Sequence, residues 1–143
     1  MIYWDTSVIL KLYVDEDDSL NWQRLAVQEK TRLRTSALAF VEMAHALKQK
    51  ERRGEISSGA AQHLFPLFKE DVDEGRFLLF PLGRDVLARC TETALEGSPL
   101  RTLDGLHLST ANLARCTRIA TADERLAEAA TSQGLEVVSL DGI

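Results

Sequence analysis

Met1-Ile2-Tyr3-Trp4-Asp5-Thr6-Ser7-Val8-Ile9-Leu10 opens the chain, and everything after it is organised around this stretch. Ile2, Tyr3 and Trp4 favour strand, Asp5-Thr6-Ser7 are residue types that cap helices, and an apolar helical pattern resumes through Tyr13. This is a strand–turn–helix. In open α/β sheets ligands bind beyond the carboxyl ends of the strands, so Asp5 is expected where chemistry is usually done. The plain alternative is that Asp5 only caps the helix that follows it.

Working outward, 143 residues suit one domain, 1–143, and no Gly/Ser/Pro-rich stretch suggests a linker. Apolar residues make up 45% and charged residues 27%, which places the chain among soluble globular proteins. The N-terminal stretch has no basic segment, and no apolar run reaches the roughly 18 residues that span a bilayer, so a cytoplasmic protein without membrane association is expected. Cys90 and Cys116 fall in separate helical patterns without CxxC spacing and read as reduced packing residues. The net charge of −5 argues against indiscriminate binding to phosphate backbones. A nuclease stays open, because carboxylates gathered around cations would account for most of that excess while basic residues remain elsewhere, as at Lys48, Lys50, Arg52 and Arg53.

Four further strand patterns alternate with helices. Asp15-Glu16-Asp17-Asp18 reads as a solvated helix start before Leu20, Trp22, Leu25 and Ala26, and residues 32–36 as a second strand with Ser36 as the next helix cap. The helix from Ser36 to Arg53 is apolar nearly all round in its first half, so it is expected to be buried, with Glu42 a costly carboxylate inside it. Ile56 to Glu74 is helical, with Pro66 expected to kink or split it. Residues 76–80 form an apolar strand suited to cover on both faces, and Asp85 to Leu95 is helical. A helix capped at Thr102 carries Asp104 in its first turn, residues 118–121 make a fourth strand, Asp123 opens a helix to Ser132, and residues 135–140 make a fifth strand. The pattern predicts a three-layer α/β/α sandwich around a parallel sheet of about five strands, the first central, with Ile2, Tyr3, Phe40, Val41, Leu78, Leu79, Ile119 and Val137 in its core.

Asp5 and Asp123 lie past strand ends, Glu42 sits in an apolar helix and Asp104 in a helix first turn. If the fold brings them together, their mutual repulsion must be relieved by protonation or by a cation, and hard oxygen donors select Mg²⁺ or Mn²⁺. Asp5-Thr6-Ser7, Val41-Glu42, Leu103-Asp104-Gly105-Leu106-His107-Leu108-Ser109-Thr110-Ala111 and Thr121-Ala122-Asp123-Glu124-Arg125-Leu126, in that order, resemble the PIN-domain ribonucleases, specifically the VapC-like toxins of type II toxin–antitoxin pairs. The resemblance spans essentially the whole chain. It implies that Asp5, Glu42, Asp104 and Asp123 are the catalytic, metal-binding acids, with Thr6, Ser7 and Thr121 as supporting hydroxyls. It also implies Mg²⁺- or Mn²⁺-dependent endonucleolytic cleavage of RNA, restraint by a cognate antitoxin, and a homodimer or toxin–antitoxin hetero-oligomer. Trp22, Leu25, Leu64, Phe65 and Phe68 are candidate docking residues for that partner. Gly105 departs from the family's frequent Ala.

Three other functions compete. Glu42-x-x-His45 and Asp104-x-x-His107 have the spacing of di-iron bundles, but five strand patterns leave no room for four long helices. A metal-dependent phosphatase with Asp5 as phosphoacceptor wants a second Asp two residues on, where this chain has Ser7. A non-catalytic interaction module would use the acids only as caps.

Overall fold

The computed structural model describes residues 1–143. Its elements are β1 (Ile2–Trp4), α1 (Thr6–Ile9, continued as a 3₁₀ turn, Leu10–Leu12), α2 (Ser19–Gln28), β2 (Leu33–Ser36), α3 (Leu38–Arg52), α4 (Ala60–Asp73), β3 (Phe77–Phe80), α5 (Arg84–Leu95), α6 (Thr102–Leu113), β4 (Arg118–Ala120), α7 (Glu124–Ser132) and β5 (Glu136–Val137). The five strands are all parallel in the order β3-β2-β1-β4-β5, so the first strand is central as expected. No helix is long and apolar enough to cross a membrane.

Alternation along β1 divides the core. Ile2 and Trp4 point to one face, where Val8, Ile9, Trp22, Leu25, Ala39, Met43, Leu47 and Phe68 from α1 to α4 pack on them. Tyr3 points to the other, against Leu108, Ala111, Leu126 and Ala130 of α6 and α7. A period of two in a strand buried on both sides produces the three layers.

Several local expectations need correction. Val41 is 56% exposed, because α3 buries only the stripe Ala39, Met43 and Leu47 and turns its opposite face outward. Phe40, Leu78, Leu79 and Val137 are half-buried: β3 and β5 are the edge strands, and only Phe77 of β3 is fully covered. The proposed docking residues are core instead. Trp22, Leu25 and Phe68 are buried, and Leu64 and Phe65 pack against the same cluster, with Phe65 stacked edge-on to Phe40. The aromatic residues of α2 and α4 pack between those helices and the sheet.

Ser36 ends β2, yet its Oγ accepts from the Leu38 N–H (3.1 Å) and so covers the start of α3. Residues 56–59 form a turn closed by Gly59 at φ 83°, and α4 then runs unbroken through Pro66. Thr102 is the first helical residue of α6 and does not cap it. The fifth strand is two residues long, since after Val138 donates to the Ile119 carbonyl (2.8 Å) no further partner continues the ladder.

Candidate active site

Asp5 follows β1 directly, and its N–H donates to the Ala120 carbonyl at 2.9 Å, pinning it beside the end of β4. It occupies the cap position of α1 in an extended conformation, but its carboxylate bonds no N–H of that helix. Oδ2 instead accepts from Ser7 Oγ (2.6 Å) and Thr121 Oγ1 (2.8 Å). Ser7 Oγ accepts from the Ala122 N–H (3.0 Å), and Thr121 Oγ1 from the Asp123 N–H (3.0 Å). The hydroxyls therefore tie the β1 and β4 ends together and aim Asp5 away from its capping role. Asp123 does cap, its Oδ1 accepting from the Leu126 N–H at 3.1 Å.

Glu42, in the second turn of α3, reaches across to α1 and α6. Its Oε1 accepts from Thr6 Oγ1 (2.8 Å) and is in short contact with Nε2 of His107, a side chain only 1% exposed. His107 Nδ1 meets the hydroxyl of the fully buried Tyr3 at 2.6 Å. Burial opposes charge on His107, but the bond to Glu42 and the fields of Asp5, Glu42 and Asp104 outweigh it and raise its pKa above the ordinary imidazole value. Asp104, in the first turn of α6, has neither hydrogen bond nor ion pair. Burial, and then the fields of Asp123, Asp5 and Glu42, push its carboxyl above the usual carboxylate range against the opposing effect of His107.

Asp5, Glu42, Asp104 and Asp123 line one cavity of about 670 Å³ together with Thr6, Ser7, Leu38, Val41, His45 and Arg52. A larger, mostly polar depression of about 810 Å³ between the α5–α6 loop and α7 gathers no such acid set. The four acids singled out in the sequence thus come from four separated segments to one edge of the sheet. They do not form a finished cage, for no three His, Cys, Asp or Glu side chains converge closely enough to hold one ion as they stand. The donor set nonetheless suits a hard cation: Asp104 is unpaired and under the field of three other carboxylates, the stress that a divalent ion relieves. The di-iron alternative fails on architecture, since a five-stranded parallel sheet stands where it needs a four-helix bundle, and His45, at the cavity wall, is exposed and bonds to nothing.

The PIN domain family model matches residues 2–132. The chain belongs to the PIN-domain family. Ribonuclease VapC35 of Mycobacterium tuberculosis (strain CDC 1551 / Oshkosh) is 33% identical to this PIN domain over 97% of the chain and 96% of its own length. Among solved structures, a toxin–antitoxin complex from Klebsiella pneumoniae has a chain that superposes with TM-score 0.71 at 17% identity, covering all of both chains. The M. tuberculosis toxin VapC20, described as cleaving the sarcin–ricin loop, superposes at 0.69 and 14% identity over 90% of this chain and 95% of its own. At these identities the structures establish the shared fold.

Tyr3 has no functional signature in the sequence, since a strand tyrosine looks like core and only the fold shows its hydroxyl on His107. Arg101 and Arg125 carry no such signature either. They line a second depression beside Asp104 and Asp123 and, like Arg52 in the main cavity, form no ion pair.

Proposed function

We propose that this PIN domain is a Mg²⁺- or Mn²⁺-dependent endoribonuclease of the cytoplasm and the toxin of a type II toxin–antitoxin pair. The observation that carries the proposal is the gathering of Asp5, Glu42, Asp104 and Asp123 in one cavity with Asp104 left unrelieved. These four acids would hold the cation, which when bound supplies phosphoryl polarisation and activated water. Ser7 and Thr121 orient Asp5, and Thr6 orients Glu42. Arg52 on one side and Arg101 and Arg125 on the other offer cations to the phosphates that flank the bond being cut. The phosphoacceptor alternative loses its footing at position 7, where a serine donates to Asp5 in place of a second acid. The interaction-module alternative fails to explain Asp5, whose carboxylate does not cap.

The relatives named as toxins support a protein partner, and the cavity rim fits one. Leu38, Val41 and Leu103 surround the acids with apolar surface, on which a partner segment could seat while placing an Arg or Lys among the carboxylates. The test is cleavage of cellular RNA with Mg²⁺ or Mn²⁺ by purified protein. Activity should vanish in EDTA and fall on the order of 10²–10³-fold in Asp104→Asn, and the protein encoded beside this gene should block it. Metal-independent cleavage, or a wild-type rate from Asp104→Asn, would overturn the nuclease assignment.

A further inference from the structure

We propose that Tyr3 and His107 are positioning residues that hold Glu42 with Oε1 engaged and Oε2 free for a cation that would bind among the four acids. The inference rests on the metal-dependent reading above. Glu42 sits on the half-exposed wall of α3, where an unrestrained side chain samples several rotamers. Its Oε1 is held by two donors, Thr6 Oγ1 and His107 Nε2, whereas Oε2 makes no hydrogen bond and remains available to the cavity. A carboxylate accepts only, so Nε2 must carry a hydrogen in either charge state of the imidazole. Tyr3 anchors the far side of the ring: its hydroxyl lies 2.6 Å from Nδ1 and the rings meet edge to face, 5.8 Å between centroids. Both anchors are inaccessible to water, with Tyr3 at 0% and His107 at 1% exposure.

The chain Tyr3–His107–Glu42 therefore runs from the central strand through α6 to α3, and so ties together three of the segments around the cavity. Here Nε2 also lies 3.7 Å from Asp5 Oδ1, so the same N–H edge faces two of the four acids. Outer partners of this kind set the orientation of a ligand, and their loss typically weakens metal binding by roughly 10–100-fold.

The experiment measures Mn²⁺ affinity by calorimetry on the full chain, with folding checked by circular dichroism in EDTA. Wild type, His107→Leu, His107→Gln, Tyr3→Phe and Asp104→Asn are compared. We expect His107→Leu to bind roughly 10–100-fold more weakly. His107→Gln keeps an N–H where Nε2 stood and should recover most of that loss. Tyr3→Phe deletes one hydroxyl, leaves the packing intact and should weaken binding by a smaller factor, which serves as the readout if His107→Leu does not fold. Equal affinity in wild type, Tyr3→Phe and the folded His107 variants would overturn the proposal. So would His107→Gln as weak as His107→Leu, which would indicate that the imidazole acts by shape alone. Wild-type protein that binds no Mn²⁺ would overturn the metal-dependent reading itself, and the proposal with it; in the other failures wild type binds and Asp104→Asn does not.

Discussion

Asp104 shows how one side chain can be worse for the metal-free fold than its replacement. It is half-buried, bonds to nothing and lies under the fields of Asp123, Asp5 and Glu42. Asp104→Asn removes the repelling charge and keeps the shape, so the metal-free protein should melt at a higher temperature than wild type. Cleavage should fall on the order of 10²–10³-fold, the usual effect of deleting one preorganised electrostatic group. Thermal melts in EDTA beside an RNA cleavage assay check both signs, and a lowered melting temperature would mean that Asp104 makes a favourable contact in the fold. Asp5 differs, because Ser7 and Thr121 donate to it and Asp5→Asn would leave those hydroxyls with a weaker acceptor.

At the scale of elements, α5 and α6 pack closely at residue 105, where a side chain would press on Cys90. A Cβ built on Gly105 meets Cys90 Sγ at 3.0 Å. Ala would gain about 1 kcal/mol of helix propensity over Gly, and that contact opposes the gain. Gly105→Ala should therefore stabilise by clearly less than Gly105→Ala does in a Cys90→Ala background, with a coupling of roughly 0.5 kcal/mol or more in a double-mutant cycle. Additive effects would show that the helices shift apart freely.

The segment after α1 is held by charge. Glu16 accepts from Lys50 of α3 (2.6 Å) and pairs with Lys11 (3.1 Å), while Asp18 accepts from Lys11 (2.7 Å) and Trp22 Nε1 (3.0 Å). The hydrogen bond from Lys50, with Lys11 adding to it, holds Glu16 below the usual carboxylate range against the effect of burial. A depressed folded pKa gives stability that is present above the unfolded glutamate value, about 4.3, and lost as pH falls through the folded value. Glu16→Gln should cost roughly 0.2–1 kcal/mol at pH 7. Urea titrations should find that difference shrinking below about pH 4, and a difference that grows with acid would refute the pairing.

For the whole molecule, the balance is between a negative protein and a negative substrate. With a net charge of −5 and four acids in the cavity, the proposed function requires an RNA backbone to be drawn in by the few cations beside them, Arg52, Arg101 and Arg125. Charge reversal at Arg101 or Arg125 should raise KM for RNA several-fold with kcat nearly unchanged. The salt dependence of kcat/KM should become shallower by about one unit of log–log slope for each phosphate that is no longer neutralised. An unchanged slope would place the strand elsewhere.

The chain itself determined the order of strands and helices, because a period of two and caps at strand ends are written in local residue types, while the four acids stand out as a set only through the ordered motifs that carry the family resemblance. Periodicity did not reveal which face of α3 is covered. Its small apolar residues satisfy either face, and the sheet chose the stripe of Ala39, Met43 and Leu47, leaving Val41 at the rim of the acids. The same holds for the aromatic residues of α2 and α4, which local composition alone could assign to a docking surface or to the core. Only tertiary structure placed Tyr3, His107 and Glu42 in one hydrogen-bonded chain. Those residues lie up to 104 positions apart, and a contact across such a distance depends on how the layers close over the sheet.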